Sequence, residues 1–150
     1  MYDAQQVSAW LVSNGFSADQ ALIPNSQGDY ALILAARCSR ADVLCYLLAQ
    51  GAELDVVDPY GNNALWAACF ADALACIDIL LQAGIGIDFQ NPSGATALIY
   101  SASSGKHQVV AHLLQAGANP LLTTQDDFSA LDLAANRACL QLLRKQKAEA

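Results

Sequence analysis

The sequence predicts an all-α solenoid of stacked helix-turn-helix units, and three observations on its 150 residues carry that prediction. Gly28, Gly61 and Gly94 recur every 33 residues. Gly51, Gly84 and Gly117 repeat with the same period at another phase, and so do Ala31-Leu32, Ala64-Leu65, Ala97-Leu98 and Ala130-Leu131. A fixed period of this length marks units that each fail to bury their apolar face alone and stack on their neighbours.

The opening MYDAQQVSAWLVSNG predicts a helix begun at Asp3, with Gln6 three residues later as in a capping box, and stopped at Asn14-Gly15. Trp10, Leu11 and Val12 followed by Gly15 echo Tyr46, Leu47, Leu48 and Gly51, so this segment reads as half a repeat. Gly15 to Gly28 spans 13 residues against 10 from Gly51 to Gly61, which places about three extra residues around Phe16 to Pro24. In the full repeats the first helix starts after a short polar residue able to accept an orphan backbone N–H, a role that Asn63, Thr96 and Ser129 fit and Tyr30 does not. A second helix follows a break. Ser39-Arg40-Ala41-Asp42 has the form of another capping box, with Asp72 and Gly105 at the phase of Ser39. Leu44, Leu47 and Leu48, then Ile77, Leu80 and Leu81, then Val110, Leu113 and Leu114 have helical apolar spacing and form the predicted core. Gly51, Gly84 and Gly117 end these helices, and Asp58 and Asn91 are placed to satisfy the backbone of tight turns. In the last unit Leu142-Leu143 match either Leu47-Leu48, with four residues missing from the break, or Val43-Leu44, with none missing.

The frame Gly94, Thr96, Ala97, Leu98, Ser101-Ala102, then Val109-Val110, Leu113-Leu114 and Gly117-Ala118 resembles the ankyrin repeat over residues 25–144. That family's Gly-x-Thr-Pro-Leu-His motif is altered throughout. Ala31, Ala64, Ala97 and Ala130 stand for its proline, and Ile33, Trp66, Ile99 and Asp132 for its histidine. Alanine is the best helix former, so the first change leaves the fold intact. The second removes a polar link between neighbours that the family usually has. The layout is a capping helix and connection over 1–24, repeats over 25–57, 58–90 and 91–123, and a capping repeat over 124–150.

Hydrophobic residues make up 55% of the chain, enough for a continuous core, and no apolar run is long enough to cross a bilayer. Without a basic start followed by an apolar stretch at the N-terminus, the expectation is a soluble, cytoplasmic protein. Cys38, Cys45, Cys69, Cys76 and Cys139 are odd in number and without Cys-x-x-Cys spacing, which points to buried thiols instead of disulfides or zinc. There is no Lys or Arg between Arg40 and Lys106, while seven Asp or Glu fall in that interval. Such a field repels phosphate backbones, so the expected partner is a protein with a basic or neutral contact surface, not nucleic acid or membrane. Arg137, Arg144, Lys145 and Lys147 favour the end of the last helix, where cations meet its dipole.

No site chemistry is recognisable. Gly84-Ile85-Gly86 follows a helix and lacks a third glycine, so it is no phosphate loop; His107 and His112 are five apart and share no helix face for a metal. No Ser or Cys sits in a nucleophile elbow. Neither a cofactor nor a metal is expected. The resemblance implies a non-catalytic module that binds a partner protein through first helices and turns, the family's usual binding face. On that face lie Arg37, Trp66, Phe70 and Ser103 in the helices, and Asp29, Tyr60, Asn62 and Ser93 beside the turn glycines. Trp66 either belongs to this face or packs between repeats in place of the histidine. The chain is expected to be monomeric. The alternatives are a structural or dimerising subunit that uses its second-helix side, and a small enzyme or ligand carrier with a pocket near Cys38, Cys69 or Trp66.

The register makes a direct prediction. Deleting residues 59–91, or residues 76–108, removes one whole 33-residue period and should leave a shorter, less stable protein that is helical by circular dichroism. A deletion of about 20 residues breaks the stacking between neighbours and should not fold; equal folding of both would exclude a repeat.

Overall fold

The computed structural model describes residues 3–149, and side chains over residues 3–146. Met1 and Tyr2 of the opening segment, and Lys147 among the C-terminal cations, lie outside those side chains. The described residues form nine α-helices and an isolated bridge between Thr123 and Ser129, and they divide into two compact units, Met1–Ile85 and Gly86–Ala150.

The first unit holds α1 (Ala4–Ser13), α2 (Ala31–Arg37), α3 (Ala41–Ala49), α4 (Ala64–Phe70) and α5 (Leu74–Gln82). Asp3 caps α1 by accepting from the amides of Gln5 and Gln6. The helix ends at Gly15 and lays Val7 and Leu11 into the core as it packs on α3. α2 packs on both α3 and α4, with Ala31, Ala35 and Ala36 buried against the equivalents Ala64 and Ala68. These small side chains let seven-residue helices approach closely. Helices this short are marginal by themselves and depend on that packing. The outer pair, α3 and α5, contributes Val43, Leu44, Leu47, Ile77 and Leu80, all inaccessible to solvent. Truncating any of these leucines to alanine would cost about 2–5 kcal/mol.

The second unit holds α6 (Ala97–Ser103), α7 (His107–Gln115), α8 (Ala130–Leu133) and α9 (Arg137–Glu149). α6 packs on α7 and α8, and α9 packs on α7 and α8. Asn63, Thr96 and Ser129 cap α4, α6 and α8 as the sequence predicts, and Tyr30 makes no side-chain cap. Asp132 returns a bond to the Ser129 amide at 2.9 Å, which completes a capping box.

Arg137, which the sequence reading groups with the cations at the end of the last helix, instead opens α9, and two further details of the sequence reading are corrected. Ser39-Arg40-Ala41-Asp42 is not a capping box. Ser39 adopts a left-handed φ of 58°, as Asp72 (56°) and Gly105 (71°) do at the same phase, and it closes α2 instead of opening α3. The amides of Ser39 and Arg40 bond to the carbonyls of Ala36 and Ala35, the arrangement that satisfies a helix C-terminus. Asp42 is engaged by the Arg40 guanidinium at 3.0 and 2.8 Å, a pair that holds its carboxyl below the usual range. The second correction concerns the last unit, where three residues are missing, a number that neither alternative gave. Buried Cys139 and Leu143 take the places of Val109 and Leu113 only 30 residues on, and α8 is cut to four residues. The Ala135 amide bonds to the Ala102 carbonyl at 2.9 Å and the Asn136 amide group to that of Gly105 at 2.8 Å, which brings the shortened break back onto its neighbour.

The glycines are not equivalent. Gly51 and Gly94 both have positive φ, of 89° and 84°, but a Cβ on Gly51 meets nothing within 4 Å, whereas one on Gly94 lies 2.9 Å from the Gln125 nitrogen. Gly51→Ala should therefore lose only the left-handed penalty, about 1–2 kcal/mol. Gly94→Ala should lose clearly more, and paired urea titrations check the order; equal losses would contradict it.

Candidate functional site

The turns before each first helix are built by one side-chain oxygen. Asp58 Oδ1 accepts from the amides of Tyr60 and Asn62, both at 2.9 Å, while the Gly61 amide bonds to the Asp58 carbonyl. Asn25 and Asn91 make the same bonds at the same phase. This closed loop fixes the direction in which residue 60 leaves the surface. Tyr60 is 80% exposed.

Within the first unit, turn residues and α2 surround a cleft of about 190 Å³. It gathers three of the predicted residues, Asp29, Arg37 and Tyr60, with Tyr30, Ile33 and Asp58. Arg37 Nη2 lies 3.6 Å from Asp58 Oδ2, with 43% of the Arg37 side chain in solvent, so the pair is loose and adds less than about 1 kcal/mol. Trp66 and Phe70 sit on α4, four residues apart and hence on one face. Phe70 is 61% exposed and Trp66 half-buried. Asn62 is half-buried with its amide tied to Asp58. Ser93 and Ser103 belong to the second unit. The Ser93 hydroxyl donates to Asn91 Oδ1 at 2.8 Å and that of Ser103 to the Tyr100 carbonyl at 2.9 Å. Tyr30 and Pro59 complete the cleft and were not singled out from sequence. Their phases relative to Asn63 and Gln125 are the signal that marks them.

Charge is divided unequally. Residues 1–85 carry nine acidic residues against Arg37 and Arg40, while residues 86–150 carry five of each sign. The formal charge of −7 therefore resides in the first unit.

The family model for ankyrin repeats in three copies matches residues 4–91 and again 72–150. The chain belongs to the ankyrin repeat family. It is 35% identical over 107 residues to the probable E3 ubiquitin-protein ligase XBOS34 of Oryza sativa subsp. japonica, covering 69% of this chain and 21% of that protein. It is 37% identical over 109 residues to human neurogenic locus notch homolog protein 2, covering 72% of this chain and 4% of that one. The ankyrin repeat domain of Bcl-3, a member of the IkappaB protein family, superposes with a TM-score of 0.75 at 30% identity over 80% of this chain and 53% of its own. The chain thus spans about a fifth or less of the length of these curated relatives. The all-α ankyrin-repeat solenoid is its fold class, one that generally serves as a non-catalytic protein interaction module.

Among the described residues no helix is long and apolar enough to cross a membrane, and no group of three His, Cys, Asp or Glu is placed to hold a metal ion. A cavity of about 320 Å³ lies between the connection after α1 and α3, lined by Leu22, Ile23, Leu32, Leu47, Val56 and neighbours, with no cysteine or histidine. Cys69 and Cys139 are buried, and burial pushes the Cys76 thiol up to about 11. A thiol with so high a pKa carries almost no thiolate near neutral pH. In the native protein, Cys38 should therefore react with a thiol reagent first and Cys69, Cys76 and Cys139 only on unfolding. Rapid labelling of Cys76 at pH 7.5, read by peptide mass spectrometry, would contradict this assignment.

Proposed function

We propose that the chain is a non-catalytic interaction module that binds a partner protein through the turns and first helices of its Met1–Ile85 unit. What carries this reading is the exposure of two large aromatic side chains, Tyr60 and Phe70, in a unit whose core α2 and α4 already supply through Leu32, Ile33, Leu65 and Cys69. Neither ring is needed to close the core. Aromatic anchors of this kind dominate interfaces, and truncating one costs about 2 kcal/mol or more. Trp66 stands between the two roles, half-buried on the same α4 face as Phe70. Asp29 and Arg37 line the cleft beside Tyr60 and Asn62 closes the Tyr60 turn, while Ser93 and Ser103 are the positions of the second unit that correspond to Tyr60 and Phe70. The charge of the first unit favours a basic or neutral partner surface and disfavours nucleic acid. Five free cysteines fit a reducing, cytoplasmic setting.

A second reading has its own observation. Leu22 and Ile23 are exposed beside Tyr46 and Gln50 of α3, around a cavity of about 220 Å³, which favours a structural subunit that associates through its second-helix side. A mass that rises with concentration in solution would select it.

Affinity purification with the wild-type chain identifies the partner, and variants then test the face. Tyr60→Ala and Phe70→Ala should each weaken binding by about 30-fold, corresponding to that anchor energy, with little change in unfolding midpoint. Trp66→Ala should reduce both. Association should slow as salt is added. Normal binding by both single variants, with loss traced instead to Asp78 or His112, would place the interface on the second helices.

A further inference from the structure

Successive turns are bonded to each other in the second unit. The Gln125 amide donates to the Ser93 carbonyl at 2.9 Å, Gln125 Nε2 to the Pro92 carbonyl at 2.6 Å, and Gln90 Nε2 to the Thr123 carbonyl at 3.1 Å. They leave no room for so much as a methyl group on Gly94. Two periods earlier, Pro59 stands at the phase of Gln125 and Pro24 at that of Gln90. Proline has no backbone N–H and no side-chain donor, so none of the three bonds has a counterpart there. The cleft lined by Asp29, Tyr30, Arg37, Asp58 and Tyr60 is what remains, and Gly28 faces open space within 4 Å.

Its electrostatics are unbalanced. Asp58 uses one oxygen on two turn amides and turns the other toward Arg37, the only cation in the lining. Asp29 is half-buried, and its carboxylate meets neither donor nor cation among the described residues. A half-buried carboxylate gains more from a counter-charge than one in bulk water, and tyrosine rings in the wall attract cations in addition. At about 190 Å³ the cleft is smaller than the 300 Å³ or more of pockets that hold drug-sized molecules. A single side chain is the size that fits.

We infer that this cleft receives a cationic side chain, arginine or lysine, from a basic segment of the partner protein, with Asp29 as its counter-charge and Tyr60 as its aromatic wall. The inference rests on the reading of the first unit's turns and helices as the binding face, and it names the chemistry that face selects. The first unit's excess of acidic residues steers such a segment toward it.

The test uses Nα-acetyl-arginine N-methylamide at millimolar concentration and the full-length, ¹⁵N-labelled chain. The expected result is saturable amide shifts confined to Gly28–Arg37 and Tyr60–Asn62, absent with the neutral citrulline analogue. Asp29→Asn should weaken the probe tenfold or more without lowering the unfolding midpoint, since the Asp29 carboxylate supports no turn bond. Pro59→Gln, which restores two of the three missing donors, should close the cleft and also abolish the shifts. Equal shifts with citrulline, no saturable shift, or unchanged binding by either variant would overturn the inference. If the probe fails while partner binding still depends on Phe70, which lies outside the cleft lining, the cation site falls alone. If Phe70→Ala is also without effect, the binding face falls with it.

Discussion

Everything in this fold depends on satisfying backbone amides at turns that have no sheet to pair with. The solution is one acceptor oxygen per turn, from Asn25, Asp58 and Asn91, each taking two amides while a glycine with positive φ returns the chain. Substituting the acceptor would release two donors at once, one exposed and one part-buried, and the second is the costlier to leave unmade. Thr124 holds the position in the last turn with a longer bond of 3.3 Å to Phe128, and Asp127 takes the left-handed conformation that glycine takes elsewhere. The terminal turn is thus the least favourable copy. Bonds to its neighbour compensate: Gln90 donates to the Thr123 carbonyl, and Gln125 of the terminal turn donates back to the carbonyls of Pro92 and Ser93.

Once the turns are fixed, the helices need little intrinsic stability. Seven residues make under two turns, too few to persist in water. Yet α2, α4 and α6 are closed at one end by a left-handed residue and, in α4 and α6, capped at the other by Asn63 or Thr96. Alanine at the position where the family carries proline suits this geometry, because the inner helices pack on one another through small side chains. Ser101 is the one polar exception on these buried faces, fully enclosed and with no hydrogen-bond partner for its hydroxyl among the described residues. The equivalent Ala35 and Ala68 show that the packing has no need of that oxygen.

The period made most of the fold legible, because a residue's phase fixes its burial and its conformation together. Leu47, Leu80 and Leu113 are core for that reason, and Asn63, Thr96 and Ser129 are caps. Two errors came from reading local motifs across the phase. Ser39 and Asp42 match a capping box by type, but the phase of Ser39 is one that Gly105 shares, and a glycine there signals positive φ and not a side-chain acceptor. The last unit was ambiguous because a deletion of three residues costs nearly one helical turn, which repeats the apolar face almost unchanged. The exposure of Tyr60 and Phe70 was legible as a surplus of aromatics at phases the core does not use. The cleft was not, since it arises from bonds that two prolines fail to make.

The cleft shows how a repeat frame acquires a site. Two neighbouring turns are bonded together in one unit and separated in the other, and the difference lies at the positions of Gln90 and Gln125, where the first unit carries Pro24 and Pro59. Nor does the first unit fill the gap from within. Arg37 is the only cation in the lining, and the fixed carboxylate of Asp58 draws it away from Asp29. Were Arg37 to move to Asp29, Asp58 would keep its two turn amides and lose its cation. The loose 3.6 Å pair gives the one positive charge to Asp58 alone, and one negative charge is left over whichever way Arg37 turns.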